Sequence, residues 1–256
     1  MGPNTVKRRL AAGELVLGTM VFEFATSGIG RLISQAGADF VIYDMEHTGW
    51  TGETTRNLLA TTPLELPAIV RVAANDRALI TPQLDLGASG IMVPMVGSAD
   101  AARDLASFTR YPPEGRRGAA FGMAHDGYSG GDPADKVRAA NREVLTIAQV
   151  ETIEGVEAAE QIASVEGIDV VFVGQFDLSA SLGAPGRFTD EAFTRAVERV
   201  IAATRGADKV VGALALTPEE AGRWRDAGAR MIAFGGDLWL YQAALRAGLD
   251  AIRAQA

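Results

Sequence analysis

Eight apolar runs with strand character punctuate the 256 residues, beginning near Val16 (VLGTMVF), Asp39 (DFVIYD), Pro67 (PAIVRV), Gly90 (GIMVPMV), Leu145 (LTIAQV), Asp169 (DVVFVG), Lys209 (KVVGALA) and Arg230 (RMIAFG). Most starts lie 21 to 28 residues apart, the length of one strand plus one helix. Helical patterning fills the intervals. It is clearest where Phe193, Ala196, Val197, Val200, Ile201 and Thr204 share one face at the 3.6-residue period. Thr189 or Asp190 can cap that helix, and Thr217-Pro218-Glu219-Glu220 has the form of a capping box with proline at the first helical position. Gly37, Gly87, Gly167, Gly206 and Gly228 follow predicted helices and suit left-handed C-terminal turns. Strict alternation predicts an α/β fold with a parallel sheet, and eight units predict a (β/α)8 TIM barrel, with residues 1–256 as one domain.

Two intervals exceed one unit. Residues 110–141 carry YPPEGRRG and GYSGGD, which predict an extended loop over the barrel mouth with a short helix after Pro133. Residues 175–189 form the second excursion.

Composition narrows the chemistry. The net charge of −8 comes without a basic block, so neither nucleic acid nor an anionic membrane is an expected partner. There is no signal-like start and no apolar stretch near 20 residues, so a soluble, cytoplasmic protein is expected. The absence of cysteine removes disulfides, thiolate nucleophiles and zinc–thiolate sites. With only His47 and His125 a multi-histidine zinc centre is unavailable, which leaves oxygen ligands and favours Mg²⁺ or Mn²⁺, with Co²⁺ as a further candidate. None of the three lysines, Lys7, Lys136 and Lys209, ends a predicted strand, which argues against a Schiff base.

In a parallel barrel the chemistry collects at the carboxyl ends of the strands. Those ends hold Asp44, Glu46 and His47 after the second strand, Arg71 in the third, Gln149 and Glu151 after the fifth, and Gly174, Phe176 and Asp177 after the sixth. Carboxylates for a divalent ion, one arginine for an anionic oxygen and one imidazole to move protons make a coherent set. Each has a plainer reading. Glu151 could serve a helix dipole and Asp177 could cap a turn. His47 could be a satisfied polar group, and Arg71 a barrel ion pair to Glu46 or Glu151. His125 reads as surface. Arg116 and Arg117 could stiffen the long loop or meet an acidic aldehyde. Gly235-Gly236-Asp237 could be an anion nest or a tight turn.

The segments LGTM, FVIYDMEHTGW, IVRV, LDLGASGIMVPMV, RYPPEGRRG, IAQVETIEGVEAAEQI and IDVVFVGQFDLSASLG, spread over residues 12–240, resemble the HpcH/HpaI class II pyruvate aldolases. The resemblance implies a barrel in which Glu151 and Asp177 hold a divalent metal. Arg71 would stabilise an enolate oxygen, and Gln149, Gly174 and Phe176 would surround the 2-oxo acid. His47 would transfer protons with Asp85 as its orienting partner, and Asp44 and Glu46 would be the acids beside it. It further implies reversible aldol cleavage of a 4-hydroxy-2-oxo acid to pyruvate, or hydroxypyruvate, and an aldehyde. A homohexamer built as a trimer of dimers that exchange their last helix is implied as well, with active sites completed by a neighbouring subunit. Two alternatives share the strand-end set: a CoA-thioester lyase of the citryl- or malyl-CoA kind, and a barrel that binds metal and carboxylate without turnover. Asp85, within ITPQLDLG, has a plain reading as a solvated helix acid.

Overall fold

The computed structural model describes residues 4–255. Its strands are β1 (Val16–Val21), β2 (Phe40–Asp44), β3 (Ala68–Arg71), β4 (Gly90–Val93), β5 (Leu145–Val150), β6 (Val170–Val173), β7 (Val210–Ala215) and β8 (Met231–Gly236). All are parallel and pair in chain order, and β8 closes on β1. Each starts at, or one residue after, the position marked by the apolar runs.

Helix α1 (Thr5–Ala11) precedes the barrel. Between strands lie α2 (Ile29–Gln35), α3 (Gly52–Thr61), α4 (Arg77–Asp85), α5 (Ala99–Thr109), α6 (Pro133–Glu143), α7 (Ile153–Glu157), α8 (Ala159–Ala163), α9 (Gln175–Ser181), α10 (Glu191–Gly206) and α11 (Pro218–Ala227), and α12 (Asp237–Arg253) follows β8. On α10 the face read from the sequence is buried except for Val197, which is partly covered. Asp190 is its N-cap without a side-chain bond. Thr217 does cap α11, accepting the Glu220 N–H at 3.1 Å, while the Glu220 carboxylate reaches back one residue further than a capping box requires, to the Leu216 N–H. Gly228 takes the left-handed conformation expected of it. Gly206 does not: α10 runs through it, and the left-handed residue is Asp208.

Side-chain alternation sorts the strands into two cores. Phe40 and Ile42, Ile69, Met92, Leu145 and Ile147, Val170 and Phe172, Leu214, and Met231 and Ala233 fill the barrel interior. Val41, Tyr43, Val70, Ile91, Ala148 and Val171 face the helices. The interior is tight enough that a Cβ on Gly18 would lie 2.4 Å from the Phe40 carbonyl oxygen, so the glycine makes room for the phenylalanine. One more inward step toward the carboxyl ends brings up Asp44, Arg71, Gln149 and Gly174. The polar layer of the mouth is thus a continuation of the apolar series below it. Helix α1, which the apolar pattern did not reveal, closes the opposite end, inserting Val6 and Leu10 under the inner cluster.

The long loop is not over the mouth. It leaves α5 and enters α6, and both its anchors are at the amino ends of the strands. Arg110 Nη1 donates to Thr146 Oγ1 near the start of β5, and the Tyr111 N–H donates to Asn141 Oδ1 at 2.7 Å. Arg117, buried in the loop, pairs with Asp85 at 2.7 Å and stacks on Tyr111 at 4.5 Å. Arg116 lies against Phe108 and pairs with Asp104 at 2.6 Å, so neither arginine faces a substrate at this chain's mouth. His125 is buried rather than on the surface, its Nε2 3.4 Å from the Tyr111 hydroxyl. Burial, with Arg117 nearby, lowers its pKa. The short helix after Pro133 is present as α6.

Candidate active site

Asp44 and Arg71 are register partners on β2 and β3, which places both side chains in the mouth layer. Asp44 is fully buried, and Arg71 Nε donates to its Oδ1 at 2.5 Å. The same carboxylate accepts the Glu46 N–H at 3.2 Å and the His47 N–H at 2.9 Å, folding the β2–α3 loop around the arginine. Arg71 Nη1 also stands 3.2 Å from Glu46 Oε2. Among the described residues the guanidinium donates a hydrogen bond only from Nε, and Glu46 Oε2 accepts none, so the contact at Nη1 is an ion pair that leaves N–H groups on both Nη1 and Nη2 to offer. Phe22, just past β1, lies 5.8 Å from the guanidinium carbon.

Glu46 is half-buried and His47 exposed, with Nε2 of the imidazole 3.6 Å from Glu46 Oε2. Burial raises the Glu46 carboxyl pKa, while Arg71 and His47 pull it back. The pairing of His47 with Asp85 is not made within this chain. Asp85 ends α4, five residues before β4 begins, so the helix has carried it to the amino end of the barrel, where Arg117 takes it.

Glu151 lies at the opposite wall, 1% exposed, past the end of β5. Its Oε1 accepts the Met95 N–H at 2.7 Å and its Oε2 accepts from Gln149 Nε2. Burial pushes its pKa up to about 7; the bonds from Gln149 and Met95 oppose the rise, and the charges of Asp177 and Glu46 add to it. Asp177 therefore stands within electrostatic reach of both Glu151 and Glu46, presented from the first turn of α9 and exposed. Gly174 lies against Glu151, and a Cβ there would collide with Glu151 Oε2, so no side chain fits beside the carboxylate. Phe176 stands 45% exposed on the rim and meets Phe188 edge-on at 5.1 Å.

These residues fit a hard divalent cation. The buried Glu151 carboxylate, with the charge of the exposed Asp177 acting on it, calls for a counter-charge, and the buried Gln149 Oε1 has no hydrogen-bond partner. Among the described residues no three His, Asp or Glu side chains gather closely enough to hold an ion alone, so further ligands would be oxygens of substrate or water. A Schiff base has no candidate at the mouth. Lys7 reaches Asp169 and the Val144 carbonyl, Lys136 pairs with Asp126, and Lys209 precedes β7.

Two contributors escaped the sequence reading. Met95 supplies its backbone N–H from a left-handed conformation (φ 56°) that nothing in IMVPMV signals. Phe22 lay in a run read only as a strand. In Gly235-Gly236-Asp237 the left-handed Gly235 makes the turn into α12, and the Asp237 carboxylate is itself the anion held by amides, accepting the backbone N–H groups of residues 22–24.

The profile of the HpcH/HpaI aldolase/citrate lyase family matches residues 25–244. The chain belongs to this family. It is 37% identical over 252 residues to the hydroxypyruvate/pyruvate aldolase of Delftia acidovorans, covering 98% of this chain and 93% of that one. It is 35% identical over 243 residues to the 2-keto-3-deoxy-L-rhamnonate aldolase of Shigella sonnei, covering 94% and 90%. The crystal structure of an HpcH/HpaI aldolase from Desulfitobacterium hafniense superposes with a TM-score of 0.92 at 31% identity, with 96% of each chain covered. The protein is a carbon–carbon lyase of the aldolase type on a TIM barrel, in a family that is generally divalent-metal dependent.

Proposed function

We propose that the protein cleaves and forms 4-hydroxy-2-oxo acids, with pyruvate or hydroxypyruvate as the 2-oxo acid and an aldehyde as the other partner, using Mg²⁺ or Mn²⁺ held by Glu151 and Asp177. The observation that carries this reading is the facing arrangement of a desolvated carboxylate, Glu151, and a clamped arginine, Arg71, across one mouth. A divalent ion on Glu151 and Asp177 would polarise a bound keto group and make the adjacent carbon more acidic.

The chain's own residues supply the rest. Arg71, fixed by Asp44 and Glu46, offers its remaining N–H groups to the oxygen that gains negative charge when a proton leaves the substrate. Gln149, bonded to Glu151, keeps its carbonyl oxygen free beside the 2-oxo acid. His47, exposed and next to Glu46, is placed to pass a proton to and from water at the mouth. Gly174 and Phe176 shape the adjoining wall.

The oligomer belongs to the same reading. Asp237 is the one buried residue of α12, while Trp239, Leu240, Tyr241, Leu245, Leu249 and Ile252 are each more than a third exposed, an apolar surface that exchange between two copies would cover. Asp85, held at the amino end of its own barrel, could orient His47 only from another subunit. A homohexamer with shared sites accommodates both.

Release of pyruvate from a panel of 4-hydroxy-2-oxo acids, followed with Mg²⁺ or Mn²⁺ and again with chelator, tests the proposal. Metal-dependent release is expected. Faster turnover of malyl-CoA than of every hydroxy-oxo acid would replace the aldehyde with a thioester.

A further inference from the structure

Asp237 begins α12, yet its carboxylate is spent on the opposite side of the barrel seam. Oδ1 accepts the Phe22 N–H at 2.9 Å together with the N–H of Leu238, and Oδ2 accepts those of Glu23 at 3.0 Å and Phe24 at 2.6 Å. Three consecutive amides of the loop after β1 are therefore held by one side chain that is 8% exposed. A carboxylate surrounded by backbone donors at a helix start is well stabilised, and it fixes the path of that loop.

What the loop carries is Phe22. Its ring is 5.8 Å from the Arg71 guanidinium carbon on one side and 5.2 Å from the Trp239 ring on the other. Gly236 leaves the space for it, since a Cβ there would lie 2.7 Å from the Phe22 ring. Arg71 is thus gripped by acids at Nε and Nη1 and flanked by an aromatic ring. The acids fix two of its nitrogens, and the ring limits how far the guanidinium can rotate about that grip.

We infer that Asp237 is a positioning residue: by pinning the β1–α2 loop to α12 it sets Phe22 against Arg71, and so sets the angle at which the arginine meets the developing negative charge. The inference rests on the aldolase reading above and adds a residue that touches neither substrate nor metal. Helix α12 attaches to the barrel through this carboxylate and through the contacts of Trp239 with Phe22 and of Tyr241 with Phe24. The docking of the last helix and the alignment of the catalytic arginine therefore share one anchor.

The test compares Asp237→Asn, Phe22→Ala and the double variant with the unmodified protein. It follows the metal-dependent exchange of pyruvate methyl protons with solvent deuterium, Mn²⁺ affinity, and affinity for oxalate in the presence of Mn²⁺. Each single variant is expected to slow exchange and weaken oxalate binding by roughly ten- to a hundredfold, the scale of a small misplacement of a catalytic group, with Mn²⁺ affinity unchanged. The double variant should be no worse than the poorer single one, because both act through one alignment. Exchange and oxalate affinity that stay at the unmodified level while only the melting temperature falls would overturn the inference, as would losses that multiply in the double variant. If Asp237→Asn does not fold, Phe22→Ala alone decides: a normal exchange rate overturns it. No exchange by the unmodified protein would instead remove the aldolase reading on which it rests.

Discussion

Glu151 is the residue whose environment makes the most specific demand. Burial is the main cause that raises its carboxyl pKa to about 7. A carboxyl whose pKa is raised on folding favours the fold below its ordinary value near 4.5 and loses that contribution as pH rises through 7. Metal-free protein should therefore be less stable at pH 8 than at pH 5 from this group, by up to about 3 kcal/mol. Glu151→Gln should remove the loss, giving a metal-free melting temperature at pH 8 above that of the unmodified protein, while added Mn²⁺ no longer raises it. Arg71 makes a second demand. Lysine cannot contact Asp44 and Glu46 with separate nitrogens and still present a third, so Arg71→Lys should lower kcat by about 10²- to 10³-fold in a pyruvate-release assay. Most of this site was legible in the sequence because inward alternation places Asp44, Arg71 and Gln149 at strand ends once the strands are found. Met95 was not, since a backbone donor leaves no mark on residue type. Nor was the work of Asp237, because its partners are amides 213 to 215 positions away.

Among elements, the segment between α5 and α6 shows what local pattern cannot supply. Its glycines and prolines correctly announced a loop, but not the end of the barrel on which it packs. That follows from α5 delivering the chain to the amino ends of the strands, and from Arg110, Arg117 and His125 being buried there. The same geometry removes Asp85 from its own chain's mouth, because a side chain at the last turn of a barrel helix faces away from the catalytic end. The loop also carries a titration of its own. Burial alone would raise the Asp126 carboxyl, but the Lys136 ammonium at 2.5 Å and the Gly122 N–H outweigh it and bring the pKa down to about 2. A carboxyl depressed in this way stabilises the fold above about pH 4, and the contribution disappears as pH falls through 2. Lys136→Met should therefore lower the melting temperature at pH 7 and flatten its decline between pH 4 and pH 2, as calorimetry across that range would show.

For the whole molecule, the barrel was legible from the spacing of apolar runs alone, because each β/α unit repeats the same physical requirement: a strand buried on both faces, then a helix covering it. The opposite closure by α1 was not, since Val6 and Leu10 are two apolar positions in a helix too short to show a period. The exposed apolar face of α12 is where the proposed oligomer is open to test. Under that proposal Leu245→Glu with Leu249→Glu, both on exposed turns of the helix, should sediment as smaller species than the unmodified protein in sedimentation velocity, with Mn²⁺ affinity unchanged.

Under the proposed function, Glu151 and Asp177 together hold a divalent ion that lets a 2-oxo acid surrender a proton beside Arg71. Proton NMR of pyruvate in deuterium oxide measures this directly. Loss of the methyl signal should require Mg²⁺ or Mn²⁺ and should stop in Glu151→Gln. Exchange that persists in chelator, or that proceeds unchanged in Glu151→Gln, would contradict it.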